Sequence, residues 1–500
     1  MVIMILKYMK KNNIFTYSIQ NKFILSLLFF IILIFFRIIF YGIDFTIFYF
    51  GAEYDCIAQS LLQNGTFSDP FCMDTGPTAW MPPFLVYLIY AIYFIAGVKT
   101  SLAIAISLTI KFSFLSLTAY NLLKLLDLIK LSKYYILAII VFSTYIVLFK
   151  YNFLNQFHDI WISMYLFSII ILLFIHYIKN KIFKIQYLII LGLLLPISSP
   201  ILTFSYYSTF TVILVYMFLS KKESFAFKYL LLSGTLSVAV LLIWSYRNYM
   251  IFNKFIPVKS NLWFDFYQAN VYDSDGVVSR STFFQYLPGV ENQSSKLYKE
   301  LGEINFIKYH EKRSKNYLNN HLSKDFLIKV KNRLLNSVFY TSSSEDLLYI
   351  NINKINTSDY ELLKDNHFII NNAFVLNELD NEKIKTLKNL NLIEYETVLN
   401  QWQIAKINNQ KENHSFINVF KGLTLSSIPI ITFLLIIIIF KKENLGYLFL
   451  IVSTSYLLPY IVISHYIRYQ LPLIPLFTLG ISVFLALLLK NFRMKLSQEK

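Results

Sequence analysis

Eleven apolar runs constrain this chain more than any other feature. They cover residues 23–41, 81–97, 101–123, 134–150, 159–178, 185–200, 203–219, 226–246, 417–440, 445–464 and 470–489. A helix needs about 20 apolar residues to cross a bilayer, fewer where the bilayer thins. Composition agrees, with 56% hydrophobic and 18% aromatic residues and a mean hydropathy of +0.52, far outside the range of soluble domains. The expected fold is therefore an all-α polytopic membrane protein.

The formal charge of +17 does not point to nucleic acid, because the lysines sit in short clusters between apolar runs and form no basic face. They read as topology markers. The run 23–41 follows Lys7, Lys10, Lys11 and Lys22, is too long for a signal-peptide core and lacks a small-residue cleavage site after it. It is expected to be an uncleaved anchor with its N-terminus in the cytoplasm.

The short run 81–97 opens on Pro82 and Pro83. If it lies in the interface, parity puts every short basic cluster inside: Lys124, Lys130 and Lys133; Lys179, Lys181 and Lys184; Lys221 and Lys222; Lys441 and Lys442; Lys490, Arg493 and Lys495. Ten spans then remain, and the polar segments 44–80 and 247–415 lie outside. The expected domains are 1–246, a transmembrane module whose loop 44–100 carries two interfacial helices; 247–415, an extracytoplasmic domain; and 416–500, the last helices.

Transport is the weaker class. A transport pathway needs ionisable groups at membrane depth, and the candidates are Arg37, placed to snorkel outward, and Lys111, whose bland reading is a buried or snorkelling lysine.

Polar chemistry gathers on the outer face. In "FGAEYDCIAQSLLQNG", 50–65, Tyr54, Ile57, Ala58, Leu61 and Leu62 follow helical spacing, so an amphipathic interfacial helix is expected to end at Asn64-Gly65. Glu53 and Asp55 flank its apolar stripe. An acid between water and a low dielectric suits general-base work, although the helix dipole alone favours acids in a first turn. Arg247 emerges at the end of a span in "IWSYRNYMIFNKFIPVKSN", 243–261, and His465 and Arg468 lie in "HYIRYQLPLIPL", 465–476. An arginine's planar fork suits phosphate, but one arginine at a helix end is usually a headgroup contact.

The order of an acid on an interfacial helix, "GTFSDPF", "TGPTAWMPP", the Arg247 segment and "HYIRYQLPLIPL" resembles the GT-C class of membrane glycosyltransferases. The resemblance is to the bacterial branch similar to family 39 protein mannosyltransferases and aminoarabinose transferases. It covers about residues 1–340 and 417–490, and "LYKELGEINFIKYHEKRSKNYLNNHLSKDFLIKVKNRLLNSVF" looks like that family's paired outer helices. By spacing, Phe326, Leu327, Val330, Leu334 and Val338 form one apolar face of the second helix, and the domain is expected to pack over the active site.

The resemblance implies a GT-C-like helix bundle in a bacterial inner membrane with its active site on the periplasmic face. It implies transfer, with inversion, of a sugar from a polyprenyl-phosphate donor to a glycan, lipid or protein acceptor. Glu53 matches the general base, Arg247 and Arg468 match positions near the phosphate, and His465 and Tyr469 stand as helpers, with Tyr54 among the substrate contacts. Many relatives carry an Asp-Glu pair where Phe50 and Gly51 stand here, so Asp55 remains a second candidate base. Asp159, in "NQFHDIWISMYLF", matches an outer acid of the class and equally suits an N-cap. A polysaccharide polymerase or ligase and a transporter of lipid-linked glycan are the alternatives.

Nothing in the sequence requires a soluble cofactor, and a divalent metal is left open. "DSD" at 273–275 precedes Gly276 and reads as turn chemistry. Cys56 and Cys72 are the two cysteines; both fall in the outer loop, where a disulfide is an open option. The polar stretch 341–415 reads as an insertion. In "DTGPTAWMPP", 74–83, the prolines turn the chain, Asp74 and Thr75 can face substrate, and Trp80 either stacks on a sugar or anchors at headgroups.

Overall fold

The computed structural model describes residues 21–42, 48–149, 151–180, 183–219, 225–272, 276–278, 286–289, 293–321, 325–338, 445–464 and 467–485. It is mostly helical. Four helices are long and apolar enough to cross a membrane: Lys22–Tyr41, Ser101–Leu128, Ile160–Asn180 and Phe227–Phe252. Shorter apolar helices cover Pro83–Ala96, Ser132–Val147, Ile185–Ser198, Pro200–Tyr216, Gly446–Val462 and Tyr469–Leu485. The expected span 417–440, the insertion 341–415, the DSD triplet and His465 lie outside the described residues.

The described residues divide into two compact units. One draws on Met1–Asn261, Pro429–Pro459 and Arg468–Lys500, the other on Leu262–Ile428 and Tyr460–Ile467.

In the first unit, α1 (Lys22–Tyr41) is capped by the Asn21 side chain, which accepts from the Phe23 and Ile24 amides. Helix α1 lies antiparallel to α4 (Ser101–Leu128), and their far ends are joined by Lys22 Nζ to Asp127 at 2.5 Å. Between them in sequence come β1 (Tyr49–Phe50), α2 (Ala52–Asn64) and α3 (Pro83–Ala96). Helix α2 stops where the sequence expects: Gly65 adopts φ 67° and returns its amide to the Leu61 carbonyl.

After α5 (Tyr135–Thr144) the chain reaches β2 (Gln156–Phe157) and α6 (Ile160–Asn180). Helix α6 is the bundle's central member, with buried side chains around its whole circumference from Ile160 to Tyr177. Helices α7 (Ile185–Ser198), α8 (Pro200–Leu219) and α9 (Phe225–Phe252) follow. The first and last of these approach closely at Gly192, where an added Cβ would stand 2.9 Å from the Ser233 carbonyl oxygen, and Ser237 donates to the Gly192 carbonyl at 2.9 Å.

The two compact units part at 261/262. The chain turns at Asn253 (φ 48°) and runs back along the end of α9. Trp244 donates to the Val258 carbonyl, Ser245 to Pro257 and Asn248 to Ile256. Those bonds keep residues 253–261 with the bundle.

The second unit contains α10 (Leu262–Tyr267), α11 (Gln293–His321), α12 (Asp325–Val338) and the end of α13 (Leu445–Val462). Its core is aromatic: the buried His310 ring is ringed by Phe264, Tyr267, Tyr272, Phe306 and Tyr309. Helix α12 departs from expectation. Leu327, Ile328, Leu334 and Leu335 are exposed, while Lys329 and Arg333 are buried. The reason is hydrogen bonding. Arg333 donates to the carbonyls of Ile461, Val462 and Gly276 and to Asn270 Oδ1, and Lys329 donates to the Asn270 carbonyl. Those acceptors satisfy the buried guanidinium and offset its desolvation.

Candidate functional site

Strands β1 and β2 pair in parallel, Tyr49 with Gln156 and Phe50 with Phe157, and the Gly51 amide extends the ladder to the Phe157 carbonyl at 3.1 Å. Each strand runs straight into a helix. The ladder therefore sets the start of α2 beside the start of α6, and with them Glu53 in the first turn of one and Asp159 just ahead of the other. Both acids are half-exposed. The Asp159 carbonyl accepts the Ser163 amide and so opens the first turn of α6.

An acidic pair at positions 50 and 51 would not fit this packing. Phe50 is buried against Tyr93 and Phe157, and a Cβ at Gly51 would meet the Tyr54 ring at 2.9 Å. Tyr54 itself is 7% exposed, so it packs the helix start and offers little to a substrate.

Asp55 is occupied. It is buried, accepts the Tyr93 hydroxyl at 2.6 Å and the Gln59 amide at 3.0 Å, and pairs with Lys99 Nζ at 2.6 Å. Burial first, and then the Asp55 carboxylate, pushes the Tyr93 hydroxyl well above its ordinary range. A carboxylate with three such partners fastens α2 to α3 and to the turn at Lys99; Glu53 is the more exposed acid of the helix.

The loop 66–80 is a compact hairpin. Ser68 pairs with Pro77, the Thr78 amide donates to the Phe67 carbonyl, and Asp69 Oδ1 accepts from the Met73 and Thr75 amides. Asp69, Cys72, Asp74 and Gly76 all have positive φ, the tolerance for which Asp and Gly are suited in turns. The open question of the cysteines is answered: Cys56 and Cys72 form a disulfide with Cα atoms 5.1 Å apart, tying α2 to this loop. Asp74 is exposed and Thr75 half-exposed, so both can meet a ligand. Trp80 cannot in this conformation. It is 1% exposed with its ring against Phe71, which corrects both the stacking and the headgroup readings.

Arg247 also changes role. Its guanidinium donates to the Thr78 carbonyl at 2.7 Å, the Phe67 carbonyl at 2.8 Å and Asn248 Oδ1 at 2.9 Å, and lies 5.1 Å from the Phe67 and Trp244 ring centres. The two carbonyls belong to residues on opposite sides of the hairpin neck, where the Thr78 amide also meets the Phe67 carbonyl. Arg247 is thus the clip that closes the loop, and its fork is spent on backbone oxygens instead of a phosphate. Tyr469 is half-buried and its carbonyl accepts the Tyr456 hydroxyl at 2.9 Å. The backbone of Arg468 belongs to the turn Ile467–Leu473, while its side chain lies outside the described residues.

Sequence reasoning missed the roles of two cations. Arg37, expected to snorkel, is 3% exposed and donates to the Gly42 carbonyl and to Asn155 Oδ1. Lys111 is fully buried and donates to the carbonyls of Phe153 and Gln156. A charge inside an apolar run is itself the signal that a partner exists, but the partner's identity is tertiary. Among the described residues no group of three His, Cys, Asp or Glu side chains could hold a metal ion.

A separate groove of about 650 Å³ lies between α7, α8, α9 and the returning segment, lined by Pro196, Phe204, Tyr207, Thr211, Leu241 and Pro257 among others. No family model, curated protein or solved structure matches this chain.

Proposed function

We propose that this chain is an integral membrane glycosyltransferase that moves a sugar from a polyprenyl-phosphate donor to a glycan, lipid or protein acceptor on the extracytoplasmic face of a bacterial inner membrane, with ten spans and α3 lying in the interface. The observation that carries the reading is the β1–β2 ladder, which sets two accessible acids, Glu53 and Asp159, at adjacent helix starts beside a loop cross-linked and clipped in place.

Glu53 takes the proton from the acceptor hydroxyl or amine as that atom attacks the anomeric carbon. The bond from that carbon to the phosphate oxygen breaks, and polyprenyl phosphate leaves carrying the negative charge. Arg468 is the cation assigned to the leaving phosphate, with His465 and Tyr469 as helpers, since Arg247 is committed to the hairpin. Asp159 orients the acceptor or assists Glu53.

The test is Glu53→Gln. The variant keeps its membrane insertion and its Cys56–Cys72 disulfide, yet cells carrying it as their sole copy accumulate the lipid-linked sugar and lose the glycan product. Unaltered product would remove Glu53 from the mechanism. Polymer of altered length with normal donor consumption would favour a polymerase or ligase, and donor trapped on the cytoplasmic leaflet a transporter.

A further inference from the structure

We infer that Lys111, with Arg37, is a positioning residue for the proposed acid pair: two cations carried on membrane helices hold the short β1–β2 ladder in register. The inference rests on the reading of Glu53 and Asp159 as the working acids.

The ladder covers two residues on each strand; Phe50 and Phe157 pack on its buried face, but so short a pair is marginal on its own hydrogen bonds. What surrounds it is cationic. Lys111 sits on α4 and points its ammonium at the stretch leading into and through β2, donating to the Phe153 carbonyl and, at 2.7 Å, to the Gln156 carbonyl. The Phe153 ring closes over it at 4.4 Å. Gln156 is the residue paired with Tyr49, so one of the lysine's acceptors lies within the ladder. Arg37 reaches the same stretch from α1, bonding Asn155 Oδ1 at 3.2 Å, and also takes the Gly42 carbonyl on the path into β1. Arg37 thus ties the end of α1 to the residue just before β2, and Lys111 holds β2 itself.

The carbonyls of the 3-10 turn Tyr151–Asn155 and of β2 need donors; Lys111 supplies them at Phe153 and Gln156, and Arg37 holds the Asn155 side chain. Shifting β2 by one residue would move Asp159 about 3.3 Å along the strand direction and turn neighbouring side chains to the opposite face. The acid would leave the start of α2.

The experiment places cysteines at the paired positions, Tyr49→Cys and Gln156→Cys, in the full chain, and reads cross-link yield by mass spectrometry, with and without Lys111→Met. The cross-link is expected to form in the Lys111 background and to fall at least several-fold with Met. In parallel, with polyprenyl-phosphate mannose as donor probe, Lys111→Met alone is expected to lower kcat on the order of 100-fold at unchanged KM, the scale for a misplaced catalytic group. Undiminished cross-linking, or a raised KM with normal kcat, overturns the inference. Should Lys111→Met fail to accumulate, Asn155→Ala, which removes Arg37's side-chain acceptor, takes its place in the same cross-linking measurement. If the parent protein transfers no sugar from any donor offered, the transferase reading fails and cross-linking alone decides the role of Lys111.

Discussion

Removing the Cys56–Cys72 disulfide is the perturbation whose effect can be worked most directly. The bridge closes a loop with a sequence separation of 16 residues, and the chain-entropy relation gives about 3 kcal/mol for a loop of that size. Other ties hold the same loop: Ser60 and Ser68 hydroxyls at 2.6 Å, Asp69 on the Met73 and Thr75 amides, and Arg247 across the neck. A net ~1 kcal/mol for each neutral hydrogen bond, and more for the arginine's, makes those ties together comparable to the cross-link. Cys56→Ser should therefore loosen α2 against the hairpin without unfolding the bundle. The expected result is a lower first melting transition for detergent-solubilised protein, reproduced by adding reductant to the parent and absent when reductant is added to the variant. Two reactive thiols per chain in unreduced parent protein would refute the bridge. An intact bridge with identical melting in both states would refute the loop-entropy argument and leave the polar ties as the whole restraint.

The two acids of α2 should separate on substitution: Asp55→Asn breaks a partly exposed ion pair and weakens the buried Tyr93 hydrogen bond, costing stability of roughly 1–3 kcal/mol, while retaining more transfer activity than Glu53→Gln, and the reverse ranking in paired melting and transfer assays would exchange their roles. His310 gives a pH prediction. Burial first, then the nearby Arg313, lowers its imidazole pKa from an ordinary 6.5 to about 3. Between those values the unfolded chain binds a proton that the folded one refuses, so stability falls as pH drops through that window, by up to about 1.4 kcal/mol per unit. His310→Phe, which suits the aromatic surroundings, should flatten that part of the acid-denaturation curve relative to the parent; identical acid slopes would show that the ring is hydrated.

The primary sequence determined the apolar runs long enough to cross a membrane, the helical content and the ends of individual elements, because these are local quantities. Apolar runs of bilayer length, Asn21 before α1 and Gly65 after α2 each act within a few residues of themselves. Candidate acids were legible for the same reason, since a first helical turn is visible as text. What each polar side chain faces was decided only by the tertiary structure. Arg247 and Lys111 look alike in sequence, as cations at or inside apolar runs, and both prove to be donors to backbone carbonyls of distant, non-helical chain. Helix α12 shows the limit most plainly: its spacing predicts an apolar buried face, yet acceptors from Asn270, Gly276 and residues 461–462 draw Lys329 and Arg333 inward. Periodicity measures how apolar a face is. Burial is settled by which partners the other segments bring, and for a charged group in a low dielectric the hydrogen-bond acceptors outweigh the pattern.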